Sequence, residues 1–346
     1  MEPIRLGIVG PGLIWENAHR PALESLEPGT YDLRAFSGRS EESRAKVARD
    51  YPGAAFFHDY HDLVAQDDVD AVVVLTPIAL NAPVAMAALA AGKDVYLEKP
   101  MASSLEEALR LAQLAEESGH QVYILEQSAY RAVYDAARER IQAGAIGEPV
   151  AYERASHGLF DAGDHSVRGY GQTAWRRQPD FPLGTLFDGG HHQIAALAEI
   201  LGAPTAVVAH GRGLRPEYGE YDVVLMLFEH PGDLRGVFSY SDYLGGGRNY
   251  MLVRGTEGLL SIEGRRMTLS DRKGNASPVE VPEDHAHRRM WRAIADCTRA
   301  RREGAGRDVR CYGLQEGLRE LRTLDAIARS AQAGGIRVPI VDIYHG

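Results

Sequence analysis

The stretch DAVVVLTP, Asp70 to Pro77, constrains the fold of this chain more than any other. Val72 to Leu75 is apolar at every position and leaves no polar alternate to face water. A strand reads this way when both faces are covered, as in a parallel sheet between two helix layers. Similar runs surround it: RLGIVG (5–10), YDLRAFS (31–37), DVYLEKP (94–100) and QVYILEQ (121–127). Helix-like segments such as Ala82 to Ala91 and Ser104 to Ser118 lie between them. Repeated strand–helix units with short links predict a doubly wound α/β domain.

The chain then changes character. A helix over about Arg131 to Ala143 ends at GAIGEP. Alternating runs follow at 206–213, 221–230, 234–243 and 250–264, separated by glycine-containing turns. They predict a large, mostly antiparallel sheet with one open face. A helical stretch, Leu314 to Ala333, closes the chain. At 346 residues the chain exceeds one ordinary core, and about two domains are expected. The boundary is placed near Leu125, giving 1–124 and 125–346.

The first strand runs directly into GIVGPGLIWENAH, with Gly7, Gly10 and Gly12. Gly10 permits a tight turn, Gly12 lets the backbone approach a pyrophosphate, and the following helix aims its amides at the phosphates. The reading is a dinucleotide-binding Rossmann domain, with Gly10, Gly12, Leu13 and Ile14 as cofactor contacts. The third small residue of that fingerprint is replaced by Trp15. The end of the second strand selects the cofactor. An acid there would hold the ribose of NAD, whereas this chain has Ser37, Arg39 and Ser40 and no acid before Glu41. Arg39 with the serines suits a 2′-phosphate, so NADP is preferred over NAD. In the alternative, Arg39 is an exposed turn residue and Glu41 or Glu42 reaches the ribose.

A strand that ends on Glu98, Lys99 and Pro100 places a cation at the carboxyl end of a buried element, where open α/β sheets bind ligands. Further on, GTLFDGGHHQIAAL puts Asp188 and His192 four residues apart, on one face if the segment is helical. A carboxylate beside an imidazole can orient the ring for proton transfer. Lys99, Asp188 and His192 together form an acid/base set for carbonyl–alcohol interconversion beside a nicotinamide. Taken without Lys99, the pair also reads as a helix cap and a satisfied core histidine.

With these pieces assembled, the sequence resembles the Gfo/Idh/MocA family, named for glucose–fructose oxidoreductase and inositol dehydrogenase. The resemblance is carried by GIVGPGLI, VVVLTPIALN, AGKDVYLEKPM, GAIGEP, WRRQP, GTLFDGGHHQIAAL and VRGTEGLLSIEG, in the family's order. It implies a nicotinamide-binding Rossmann domain and a C-terminal α/β domain whose open sheet mediates homodimers or homotetramers. It implies that Lys99, Asp188 and His192 are catalytic and that the Lys99–Pro100 bond is cis. Thr76, Pro77, Asn81, Glu98, Gln127, Trp175 and Arg176 join the cofactor-binding expectation, and Gln127 and Tyr130 also read as pocket-lining. Four departures stand out. Trp15 follows the glycines, in a segment one residue longer than usual. Asn81 replaces a common histidine. Ala195 stands where a second aspartate is frequent, which argues against inositol-like substrates. The polar loop Ala155 to Trp175 does not align and reads as a shaper of the substrate pocket.

The function these features imply is hydride transfer between NADP or NAD and a sugar, polyol or related hydroxy or keto compound. Two rivals use the same fold: a glycosidase that retains NAD, and a dinucleotide-binding sensor without catalysis. His157, His165, His191 and His192 fit no zinc spacing, so no metal site is expected. Net charge is −10 and the arginine pairs are scattered, which excludes a nucleic-acid footprint. No signal peptide or spanning helix is visible, so no membrane partner is expected. The two cysteines allow no disulfide framework or cysteine-based zinc cluster, and a cytoplasmic location suits two reduced thiols. Phe238 and Tyr240 share a strand face that packs either on helices or in an oligomer interface.

Overall fold

A computed structural model of the chain describes residues 2–160, 169–283, 285–304 and 310–341. His165 and the middle of the polar loop lie outside the described residues. The chain divides into two compact units, Met1–Gln127 with His287–Leu318, and Ser128–Ala286 with Arg319–Gly346.

The first unit is built on six parallel strands, β1 (Ile4–Val9), β2 (Tyr31–Ser37), β3 (Ala55–Phe57), β4 (Ala71–Val74), β5 (Asp94–Leu97) and β6 (Val122–Ile124). Their order is β3-β2-β1-β4-β5-β6, the doubly wound arrangement in which direction reverses beside β1. Val72, Val73 and Val74 have no exposed surface, which is why the run carries no polar alternate. The crossover helices follow ordinary end chemistry. In Leu105–Ser118, Ser104 accepts the Glu107 N–H at 3.2 Å, and Gly119 ends the helix at φ 68°. Its Ala108, Leu111, Ala112 and Ala115 are buried at helical spacing. The three-residue edge strand β3 carries too little pattern to be read from sequence.

The division at 1–124 and 125–346 needs correction, because residues 287–318 belong to the first unit. The helix Ala286–Arg302 buries Met290, Trp291, Ile294 and Cys297. Tyr31 donates its hydroxyl to Trp291 O at 2.8 Å, and Tyr96 Oη lies 2.9 Å from Thr298 Oγ1. The Tyr312 carbonyl accepts from Ile124 N–H at 2.9 Å. Apolar spacing shows that a helix buries a face but not which sheet receives it. The same return pairs Cys297 with Cys311, their Cα atoms 6.7 Å apart, a separation a disulfide spans. The expectation of two reduced thiols is corrected accordingly.

The second unit holds β7 (Pro149–His157), β8 (Ala206–Arg212), β9 (Val223–Glu229), β10 (Arg235–Ser241), β11 (Asn249–Gly255), β12 (Gly258–Glu263), β13 (Arg266–Asp271), β14 (Ala276–Val279) and β15 (Val338–Pro339). They form one sheet in the order β14-β13-β12-β11-β7-β10-β9-β8-β15. Only the β7–β10 pair is parallel. Period-two alternation separates the faces. Val224, Met226, Phe228, Phe238 and Tyr240 are buried, while Leu225, Leu227 and Val237 are 53, 42 and 47 % exposed. The aromatic face therefore packs inward, and Tyr240 Oη lies 2.9 Å from Thr185 O. Among the described residues, no helix is long and apolar enough to cross a membrane.

Candidate active site

In the first unit, candidate residues gather at the carboxyl ends of three adjacent strands. Gly10 follows β1, Thr76 and Pro77 follow β4, and Lys99 follows β5. Gly10 has φ 84°, and a Cβ there would lie 2.7 Å from Leu75 O, so only glycine fits. A Cβ on Gly12 would meet nothing closer than 3.9 Å, which leaves its surface open to a ligand. The helical segment that follows contains a π turn, Trp15–His19, the form an α-helix takes to absorb one extra residue. That accounts for the added length read in the sequence. Trp15 is buried, edge-on to Phe36 with ring centroids 5.8 Å apart. Leu13 is exposed and Ile14 half-buried.

These residues fit a dinucleotide. The turn at Gly10 admits only glycine, Gly12 is open, and Arg39 at the end of β2 is exposed and pairs with no described carboxylate. Ser37 is buried. Ser40 caps the helix Glu41–Asp50, accepting the Ser43 N–H at 3.1 Å, so its oxygen is already engaged and Arg39 stands as the principal cation of that loop.

The Lys99–Pro100 bond is cis. Asn81, buried, donates to Glu98 O at 3.2 Å and Pro100 O at 2.8 Å, and accepts from Thr76 Oγ1 at 2.8 Å. Its side chain therefore clamps the backbone on both sides of Lys99. The Glu98 carboxylate accepts the Lys99 backbone N–H at 3.0 Å. Gln127 begins a short 3-10 helix, Gln127–Tyr130, whose last three residues are buried.

In the second unit, Asp188 ends the short helix Thr185–Asp188 and His192 is the second residue of His191–Leu201. Gly189 and Gly190 between them keep right-handed helical dihedrals, so both side chains lie on one side of a nearly continuous helix. Both are half-buried. A Cβ on Gly190 would approach Leu186 Cα to 2.8 Å, which makes glycine necessary in that turn. Asp188 Oδ2 accepts from Arg176 Nε at 2.6 Å. The Arg176 guanidinium lies over the Trp175 ring, 4.0 Å from its centroid. Arg176 thus braces Asp188, with Trp175 stacked on its guanidinium. His191 is buried and hydrogen-bonded to Glu320, and Ala195 is fully buried in the helix core.

Sequence reasoning missed Asp242. Tyr240 donates to its Oδ2 at 2.6 Å, and that oxygen would lie 3.6 Å from a Cβ on Gly189. Burial pushes its carboxyl above the usual carboxylate range, and the charge of Asp188 adds to this. The signal was its place just after a strand rich in aromatics, which singles out no residue.

Residues 4–126 match the family model described as an oxidoreductase family with an NAD-binding Rossmann fold. Residues 134–261 match the GFO/IDH/MocA C-terminal domain. Mouse trans-1,2-dihydrobenzene-1,2-diol dehydrogenase is 30 % identical over 75 % of this chain and 74 % of its own. An NADP-linked scyllo-inositol 2-dehydrogenase of Bacillus subtilis is 29 % identical over 61 % of this chain and 55 % of its own length. An oxidoreductase of Thermotoga maritima superposes with a TM-score of 0.88 at 29 % identity, covering 98 % of this chain and 99 % of its own. With a glycine turn after β1, a six-strand parallel sheet and a second mixed sheet each matched in order, the chain belongs to the Gfo/Idh/MocA family of oxidoreductases.

Proposed function

We propose that this oxidoreductase interconverts a secondary alcohol and a ketone of a sugar- or polyol-like compound, with NADP(H) as its preferred cofactor. The observation that carries this reading is the gathering of Gly10, Thr76 and Lys99 at the carboxyl ends of β1, β4 and β5, the position at which open α/β sheets take their ligands. Gly10, Gly12, Thr76 and Arg39 hold the dinucleotide. Bound nicotinamide supplies or accepts the hydride at its C4.

The protein's own groups handle the proton and the oxygen. His192 takes the hydroxyl proton in the oxidative direction and returns it in reduction. Asp188, held by Arg176, orients that imidazole. The Lys99 ammonium polarises the substrate oxygen and stabilises negative charge on it as the C–H bond breaks. The exposed Leu225, Leu227 and Val237 on the open sheet face support a homo-oligomer, which light scattering tests. The substrates named for the mouse and Bacillus relatives, both vicinal diols or polyols, support the substrate class.

Titration of the protein with NADH and NADPH by nicotinamide fluorescence tests the cofactor. Tighter NADPH binding is expected, with Arg39→Asp reversing the order. Tighter NADH binding by the wild-type protein rejects the NADP preference. A screen of sugars, inositols and diols for nicotinamide absorbance change then tests the reaction class. Turnover without added cofactor would favour the NAD-retaining glycosidase.

A further inference from the structure

The π turn after the glycines carries His19 into the core, where it has no exposed surface. Its Nε2 lies 2.7 Å from Glu98 Oε1. Its Nδ1 accepts the indole N–H of Trp291 at 3.1 Å. An indole nitrogen only donates, so Nδ1 must present its lone pair and the ring proton sits on Nε2. That proton is donated to Glu98. The other carboxylate oxygen, Oε2, accepts the backbone N–H of Lys99 at 3.0 Å. One hydrogen-bonded chain therefore runs from the returning helix Ala286–Arg302, through the dinucleotide-side π turn, to the residue that carries the lysine.

We infer that Glu98, His19 and Trp291 are positioning residues for Lys99, with Trp291 fixing the tautomer that lets His19 hold the Glu98 carboxylate. The inference rests on the role proposed above for Lys99, and it moves Glu98 from cofactor binding to support of the lysine. A buried carboxylate costs desolvation that an apolar packing cluster avoids. Its retention makes sense where the carboxylate must accept from two donors that point at it, one of them the main chain of Lys99. Asn81 completes the restraint by fixing the carbonyls of Glu98 and Pro100.

The tautomer supplies a test that packing alone does not. Glu98→Gln offers one acceptor where two N–H groups point, so one donor faces an amide NH2. In Trp291→Phe the ring is free to carry its proton on Nδ1, and Nε2 then accepts from that amide. The double variant Glu98→Gln/Trp291→Phe is therefore expected to recover turnover lost in Glu98→Gln. We expect Glu98→Gln to lower kcat about 10–100-fold, the scale of an ångström of misplacement, with little change in the KM for nucleotide. Trp291→Phe alone should lower it only by about three-fold or less. His19→Phe, which removes both bonds, should fall with Glu98→Gln, and fluorescence titration of nucleotide binding checks that every variant is folded.

Imidazole 15N shifts, assigned to His19 by comparison with His19→Phe, should report the Nε2–H tautomer in the wild type. Additive losses in the double variant, an Nδ1–H tautomer, or a Glu98→Gln effect confined to nucleotide KM overturns the inference. Lys99→Ala, run alongside, separates the two claims. Near-normal turnover there overturns the role of the lysine and the inference with it. A dead Lys99→Ala with additive losses elsewhere overturns the inference alone.

Discussion

The two sets of candidate catalytic groups are held in different ways. Lys99 sits on a main chain restrained by Asn81 and Glu98, both buried, at the end of a strand with neighbours on both sides. Asp188 lies at the end of a four-residue helix and is braced by Arg176, a long side chain from a 3-10 turn. The first arrangement fixes backbone and lets the side chain act. The second fixes one side chain with another, through a charge-assisted bond whose geometry depends on rotamers. Changes to the lysine half should therefore act on chemistry with little effect on fold, and changes to the other half should spread through a cluster.

The largest effect expected is that of Lys99→Ala, a loss of about 10²–10⁴ in kcat with folding and nucleotide binding intact. Near-normal turnover in stopped-flow assays would erase the contrast by making the lysine a structural residue. Next come Asp188→Asn, His192→Asn and their combination. Each single change should remove most of the same rate and the double change little more, because groups acting as one unit are non-additive. Additive losses would mean that the pair is a cap and a packing feature. Arg176→Gln should cost less, about ten-fold in kcat, since it loosens the carboxylate without removing it. A loss equal to that of Asp188→Asn would show that the guanidinium itself meets substrate or cofactor.

The smallest effect sharpens the comparison at the level of stability. In the second unit His230 is buried, its Nε2 3.1 Å from Tyr152 Oη, and burial pushes its pKa down to about 4. Between that value and the usual histidine range the unfolded chain binds the extra proton and the folded chain does not. Stability should therefore fall as pH drops from about 7 toward 4. Thermal melts at stepped pH should show a shallower slope for His230→Gln, and an unchanged slope would assign the acid sensitivity to other groups.

Much of this was legible in the sequence where local pattern and burial coincide. The strand YDLRAFS is β2 residue for residue, and the all-apolar Val72–Val74 is buried on both faces. Lys99, Asp188 and His192 stand out as candidates because strand ends and helical spacing are local properties. The central strand β7 escaped notice because a buried arginine, Arg154, interrupts its alternation, and its partners Gln193 and Asn249 are distant in sequence. The part of Trp291 was equally hidden. Its helix is periodic, but the histidine it meets lies 272 residues away, and no spacing rule reaches that far. The extra residue before His19 was visible as length, and its meaning appeared only with the π turn.

The discontinuity of the first unit bears on how the protein is made. A ribosome delivers residues 1–127 long before 287–318. Until the later stretch emerges, Tyr31 and Tyr96 lack the helix that carries Trp291 and Thr298, and His19 lacks the donor that sets its tautomer. Domains generally mature in order of synthesis, and exposed apolar surface in an unfinished one invites aggregation. Here the amino-terminal domain must wait for a segment synthesised after the whole second sheet except β15. A chain truncated near residue 280 would keep every glycine of the nucleotide turn and its lysine, yet lack the helix that finishes the fold beneath them.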